Sequence, residues 1–79
     1  MGTNRPLFEI ASEIKADWKN WRNSYACDYL RAMSVLNSIE EYYYYDSARG
    51  IVLYFLANAQ GWRGEVAKRI KAELKEMVK

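Results

Sequence analysis

The feature that most constrains this chain is an unbroken apolar run near its centre, residues 51–57, in which no polar face exists. A segment that is apolar on every side favours burial on every side. We therefore predict that this run is a helix at the centre of the fold and that the other elements pack around it. Asp46 or Ser47 is suited to cap the start of this helix, and Gly61 is suited to end it at the C′ position.

The alternative for this region is a β-hairpin. Residues 42–45 and 51–55 are both rich in strand-forming side chains, and residues 46–50 would then form the loop between two strands. We favour the helix because an isolated two-stranded hairpin is only marginally stable and no third strand is visible in the sequence. Gly50 would cost such a helix up to about 1 kcal/mol relative to alanine. We therefore expect Gly50 to allow the close approach of another helix.

Apolar residues recur at helical spacing in the segments on either side of the run. They predict helices over residues 6–19, 25–37 and 62–78. Ser38, followed three residues later by Glu41, has the pattern of a capping box and predicts a short turn or a fourth helix. The sequence therefore predicts an all-α fold, a compact bundle of three main amphipathic helices plus that short turn or fourth helix around a buried central helix.

The length and the cysteine content bound the class of protein. A chain of 79 residues with one proline and no low-complexity linker predicts a single helical domain, with residues 1–4 disordered or left over from cloning. Cys27 is the single cysteine, and the N-terminus lacks a signal-peptide pattern, so we expect a reduced protein in the cytoplasm. The apolar run is too short to span a bilayer, and we expect no membrane partner.

The residue types that catalysis and metal binding require are scarce. The chain has no histidine, so a nucleophile triad lacks its usual base and a zinc site lacks its usual nitrogen ligands. The segment between Gly61 and Gly64 has neither the spacing nor the lysine of a phosphate-binding loop. We therefore expect no enzymatic activity, no cofactor, no metal and no small-molecule substrate.

The aromatic side chains are the first candidates for function. The sequence holds twelve of them, and most are expected in the core, because large rings supply buried area to a small domain. Four consecutive tyrosines cannot all point inward, however, and exposed tyrosine and tryptophan often anchor protein interfaces. The candidate partner-binding residues are Tyr42, Tyr43, Tyr44, Tyr45 and Trp62.

The basic side chains near the C-terminal end are the second candidates. The formal net charge of +2 is too small to indicate nucleic-acid binding, but residues 63–79 hold six basic and three acidic side chains. With Gly61 as the turn glycine, the last two predicted helices have the outline of a helix-turn-helix. The fit is partial, because Gln60 and Ala67 occupy positions where larger apolar residues are usual. The candidate nucleic-acid-binding residues are Arg63, Lys68, Arg69, Lys71 and Lys75.

Three stretches of the chain resemble small proteins encoded by phages and mobile elements of Gram-positive bacteria. They are Arg5-Pro-Leu-Phe-Glu-Ile-Ala-x-Glu-Ile-Lys-Ala-Asp-Trp18, Asp46-Ser-Ala-Arg-Gly-Ile-Val-Leu-Tyr-Phe-Leu-Ala-Asn-Ala59 and Trp62-Arg-Gly-Glu-Val-Ala-Lys-Arg-Ile-Lys-Ala-Glu-Leu74. The resemblance implies a short accessory protein that binds a host component or its own regulatory DNA, and it implies no activity.

These patterns together predict a non-enzymatic helical binding module that acts by protein–protein interaction, with a host factor or a second copy of itself as the partner. The alternative is a helix-turn-helix-like DNA-binding protein that uses the basic C-terminal helix.

Overall fold

The computed structural model describes residues 5–79, and this part of the chain is mostly helical. The helices are α1 (Leu7–Asp17), α2 (Cys27–Met33), α3 (Ala48–Ala57) and α4 (Glu65–Met77), with one turn of 3-10 helix at Trp21–Asn23. Two short antiparallel strands, β1 (Tyr42–Tyr43) and β2 (Asp46–Ser47), lie between α2 and α3. The predicted, mostly helical character is confirmed, and the small sheet is an addition that the all-α prediction did not contain. The prediction for residues 1–4 lies outside the described residues.

The run of four tyrosines folds into a tight turn, and we call residues 42–47 the tyrosine hairpin. Tyr42 pairs with Ser47 and Tyr43 with Asp46, which leaves Tyr44 and Tyr45 as the two-residue turn. Tyr44 has a φ of 58°, in the left-handed region that such turns require and that usually holds glycine or asparagine. The alternative hairpin of the sequence analysis, with strands at 42–45 and 51–55, is wrong, because both strands lie before α3.

The predicted capping box closes a turn and does not start a helix. The hydroxyl of Ser38 accepts a hydrogen bond from the Glu40 N–H at 3.1 Å, and the Glu41 carboxylate accepts one from the Asn37 N–H at 2.7 Å. A serine and a glutamate therefore close this turn, but they bond to the N–H groups of Glu40 and Asn37 and not to each other's N–H groups, as they would in a capping box. It brings the chain from the end of α2 to the tyrosine hairpin.

The helical prediction for residues 51–57 is confirmed, and Ser47 is its cap. The Ser47 hydroxyl accepts a hydrogen bond from the Gly50 N–H at 3.0 Å. A Cβ added at Gly50 would lie 3.1 Å from the Ser47 Oγ, and no atom of another helix is as near. Gly50 therefore leaves room for the cap, and the expectation that it admits a neighbouring helix is wrong.

No helix lies at the centre of the fold. Each of the four helices packs against two others, in the cyclic order α1, α2, α3, α4. Helix α3 buries Ala48, Ile51, Val52 and Phe55, while Leu53 and Tyr54 remain exposed. The prediction that this helix is buried on every side is therefore wrong, because it packs mainly on two helices, α2 and α4, and these leave one side of it open. Among the described residues, no helix is long and apolar enough to cross a membrane.

Three aromatic rings from distant parts of the chain meet in the core. The rings of Trp18 and Trp62 stack with their centroids 5.9 Å apart, and Phe55 packs edge-on against both at 6.4 and 6.3 Å. The indole N–H of Trp62 donates to the Asp17 carboxylate at 2.8 Å, so its polar atom is satisfied. This cluster joins the end of α1, the last turn of α3 and the connector before α4.

The connector between α3 and α4 is longer than predicted. It covers residues 58–64, because α3 ends at Ala57 and α4 begins at Glu65. The predicted start of the last helix was Trp62, three residues earlier. Gly61 does not have the positive φ of a C′ glycine, while Gly64, at the N-cap position of α4, has a φ of 114°. The helix periodicity identified α4 but not its start, since burial of Trp62 holds the connector away from the helical path.

We expect Ser47→Ala to lower the free energy of unfolding by about 1 kcal/mol, because the N–H of Gly50 loses its side-chain acceptor. Urea denaturation followed by circular dichroism measures this loss. Ser12→Ala is the control, since Ser12 is exposed within α1 and should change stability by less than about 0.5 kcal/mol. Equal effects of the two substitutions would contradict the cap.

Candidate interaction surfaces

The tyrosine hairpin presents aromatic rings to solvent. Tyr42, Tyr44 and Tyr45 are exposed, and Tyr45 at the turn is 99% accessible. Tyr43 is half-buried, and its ring packs edge-on against Tyr44 with centroids 4.8 Å apart. The prediction that some of these tyrosines face solvent is confirmed for three of the four candidates.

A second exposed surface, which the sequence analysis missed, lies on α3. Leu53 and Tyr54 are 49% and 57% accessible, and Ala57 is also exposed one turn beyond Leu53. The ring of Tyr54 stacks on half-buried Tyr29 of α2, with centroids 5.4 Å apart. We call Tyr29, Leu53, Tyr54 and Ala57 the α3 face. The apolar run of the sequence could have predicted this exposed surface. A helix that is apolar on every side needs neighbours on every side, and three short helices do not provide them.

Trp62 does not belong to either surface. It is only 2% accessible, its ring is stacked on Trp18, and its N–H is bonded to Asp17. The prediction that it anchors a partner is therefore wrong. The expectation that most aromatic residues are core is also wrong, since half of the twelve are exposed, namely Phe8, Tyr25, Tyr42, Tyr44, Tyr45 and Tyr54.

Four of the basic candidates, Arg63, Lys68, Arg69 and Lys71, divide into two groups, and the first, Arg69 alone, is neutralised by a carboxylate of α1. Arg69 donates to Glu13 at 2.6 Å, and Glu13 also accepts from Arg5 at 2.9 Å. Arg5 in turn makes a bidentate contact with Glu73 at 2.9 and 2.7 Å. Hydrogen bonds from Arg69 and then from Arg5 hold the pKa of Glu13 below its usual value. Arg69 therefore contributes to joining α4 to α1.

The second group surrounds the start of α4. The Lys71 ammonium donates to the backbone carbonyls of Ala59 and Trp62, each at 2.7 Å, which fixes the connector to the helix. Burial and the nearby charges of Lys75 and Arg63 lower the pKa of Lys71. Arg63 and Lys68 are exposed beside it and, with Lys71, line a shallow cleft. Lys75 is exposed further along α4 and does not line the cleft.

Other chemistry has little support in the described part of the chain. Within residues 5–79, no group of three or more histidine, cysteine, aspartate or glutamate side chains is arranged to hold a metal ion. Over the same residues, no buried side-chain nitrogen or oxygen lacks a hydrogen-bond partner. The surfaces that stand out are therefore the exposed aromatic ones and the basic cleft.

Comparison of the chain with protein-family models, with curated proteins and with solved structures finds no match. The resemblance to phage and mobile-element proteins therefore depends on the three sequence stretches alone and stays a hypothesis.

The ion-pair network predicts a dependence of stability on pH. Because the native pKa of Glu13 is lowered, its contribution to stability is complete above the unfolded-state pKa and is lost as the pH falls through the native pKa. We expect Glu13→Gln to lower the free energy of unfolding by up to about 1 kcal/mol at neutral pH, since the pair is partly screened by solvent. The difference should vanish in acid below the native pKa, as measured by urea denaturation at both conditions.

Glu9→Gln is the control for this prediction, because the Glu9 carboxylate is more exposed and lies 3.5 Å from Arg5. It should change stability less than Glu13→Gln at neutral pH. An effect of Glu13→Gln that is equally large in acid would show that lost packing, and not the ion pairs, is responsible.

Proposed function

We propose that this chain is a small non-enzymatic protein-binding module that acts in the cytoplasm as an accessory protein of a phage or mobile element. It binds its partner through the α3 face together with the tyrosine hairpin. The observation that supports this most directly is the exposure of Leu53 and Tyr54 on a helix that is apolar on every side. Contiguous exposed apolar surface on a small domain is typical of an interaction site.

The α3 face has the energetics of an interface anchor. Full burial of a side chain such as Leu53 contributes about 1.5–3 kcal/mol, and tyrosine is among the residues that contribute most at protein interfaces. The ring of Tyr54 is already stacked on Tyr29 before any partner binds. Its ordering therefore costs less entropy on binding than the ordering of a free side chain.

The tyrosine hairpin directly precedes the helix that carries this surface. Ser47 is both the last residue of β2 and the cap of α3, so the hairpin leads into α3 without a linker. Tyr44 and Tyr45 are held at the tip by the paired strands. Because the backbone of the turn is fixed before binding, these tyrosines supply contact area at a low backbone cost, as tyrosines do in antibody loops.

A DNA-binding role is the second candidate, and it has less support. A helix-turn-helix joins its helices by a turn of about three to four residues, whereas the connector here covers residues 58–64. Arg69 and Lys71, two of the five candidate residues, are already engaged by Glu13 and by backbone carbonyls. Arg63, Lys68 and Lys75 are the cations that such a role would depend on.

Site-specific photo-crosslinking tests the protein-binding proposal. A photoreactive phenylalanine replaces Tyr54 or Tyr45, the protein is produced in Gram-positive cells, and the adducts are identified by mass spectrometry. We expect an adduct of defined mass at both positions, and an adduct of twice the chain mass would identify a second copy as the partner. Leu53→Asp should reduce adduct formation at position 54 at least tenfold, because a carboxylate cannot be buried in an apolar contact at low cost.

Val35→Asp is the matched control, because Val35 is an exposed aliphatic residue outside the α3 face. It should leave the adducts unchanged, and circular dichroism should show that both variants are folded. The proposal is wrong if no adduct forms, or if Val35→Asp and Leu53→Asp reduce it equally.

Salt-dependent binding to duplex DNA tests the second candidate. If it is correct, Lys75→Gln should lower affinity for all sequences and reduce the slope of affinity against salt by about one. Absence of binding at low salt would exclude it.

A further inference from the structure

The cleft at the start of α4 is open to solvent and unusually basic. Its volume is about 280 Å³, and half of the residues that line it are cations; the lining residues are Trp62, Arg63, Gly64, Ala67, Lys68 and Lys71. None of them is acidic. Trp62 and Ala67 are buried and form an apolar base beneath the three charged side chains.

The three cations of the cleft lack carboxylate partners. Among the contacts of residues 5–79, Arg63 bonds only to the Gln60 carbonyl at 3.4 Å, Lys71 bonds to backbone carbonyls, and the Lys68 side chain makes no hydrogen bond or ion pair. Arg5 and Arg69, by contrast, are paired with glutamates. The positive charge of the C-terminal segment is therefore compensated on the side facing α1 and uncompensated at the cleft.

The ammonium form of Lys71 is destabilised mainly by burial, and neighbouring positive charges add to this effect. Burial lowers its pKa, and so do the charges of Lys75 and Arg63. An anion in the cleft would reverse the effect of those charges and would stabilise the ammonium form. Lys71 donates two of its three N–H groups to the connector, so one donor is free to meet such an anion.

We propose that this cleft binds a phosphate group, held by the guanidinium of Arg63 and the ammonium groups of Lys68 and Lys71. Phosphate suits the site because its oxygens accept several charge-assisted hydrogen bonds at once. A phosphate with two negative charges also balances three cations better than a single carboxylate does. Because Gly64 supplies no side-chain cap, the first N–H groups of α4 provide further donors.

Glu65 is the nearby group that opposes binding. It is the first residue of α4, it is exposed, and it does not line the cleft. Its negative charge weakens the binding of any anion beside the start of α4, but its side chain does not block access to the cleft. Removing the charge of Glu65 should therefore strengthen phosphate binding at the cleft. If phosphate bound non-specifically at the far end of α4, removing this charge would have a smaller effect.

The test is a titration of the full chain with inorganic phosphate at constant ionic strength, followed by the backbone amide signals in nuclear magnetic resonance. We expect saturable shifts centred on residues 63–68. Lys68→Gln should weaken binding at least threefold, Arg63→Gln combined with Lys68→Gln at least tenfold, and Glu65→Gln should strengthen it about twofold to threefold. Both cationic residues are exposed, so these variants keep the fold.

Lys79→Gln is the matched control, since it removes the same charge eleven residues beyond Lys68, past the end of α4. It should change phosphate binding less than twofold. The proposal is overturned if phosphate produces no saturable shift, or if Lys79→Gln weakens binding as much as Lys68→Gln does.

The source of the phosphate is distinguished by a short single-stranded oligonucleotide with and without a 5′-phosphate, titrated under the same conditions. Tighter binding of the phosphorylated form identifies a terminal phosphate as the ligand. Equal binding of both forms, tighter than inorganic phosphate and sensitive to Lys68→Gln, identifies the phosphodiester backbone. Binding of inorganic phosphate alone identifies a free ion. These results do not depend on the α3 face, so Leu53→Asp should leave them unchanged.

Discussion

The contact on which the structure most depends is the stack of Trp18 on Trp62, with the edge of Phe55 against both rings. It joins three segments that are far apart in the sequence. Asp17 satisfies the Trp62 N–H, so the indole can be buried without an unpaired donor. With Trp62 held in this way, Lys71 reaches the carbonyls of Ala59 and Trp62 and sets where α4 begins. The position of the basic cleft follows from the same contact.

The small size of the chain leaves its most apolar helix incompletely covered. Helix α3 packs on α2 and α4, and no further element of the described residues lies over Leu53 and Tyr54. A larger domain would bury such a surface within itself. Here the uncovered side coincides with a stacked pair of tyrosines, a geometry that is ready for a partner. The surface that this small fold leaves uncovered is therefore the same surface that we propose as the binding site.

The charges of α4 separate into two environments. Arg69 and Glu73 belong to a network with Arg5 and Glu13, where donors and acceptors are matched. At the start of the helix, Arg63, Lys68 and Lys71 line one cleft, and within residues 5–79 none of them is bonded to an acidic side chain. The net charge of residues 63–79, counted from the sequence, does not show which of these cations are paired and which are not. A matched network stabilises the fold, whereas an unmatched cluster is available to a ligand.

The sequence by itself determined the presence of the helices, two candidates for the cap of α3 and the exposure of some of the four tyrosines. These depend on local periodicity, on capping chemistry and on the number of rings that one turn can bury. Tertiary structure alone decided that Trp62 is core, that Leu53 and Tyr54 are surface, and that Arg69 is paired while Lys68 is not. It also decided the left-handed conformation of Tyr44. The physical reason is that burial and charge pairing depend on which distant segment arrives beside a residue, and the periodicity of one helix contains no information about its neighbours.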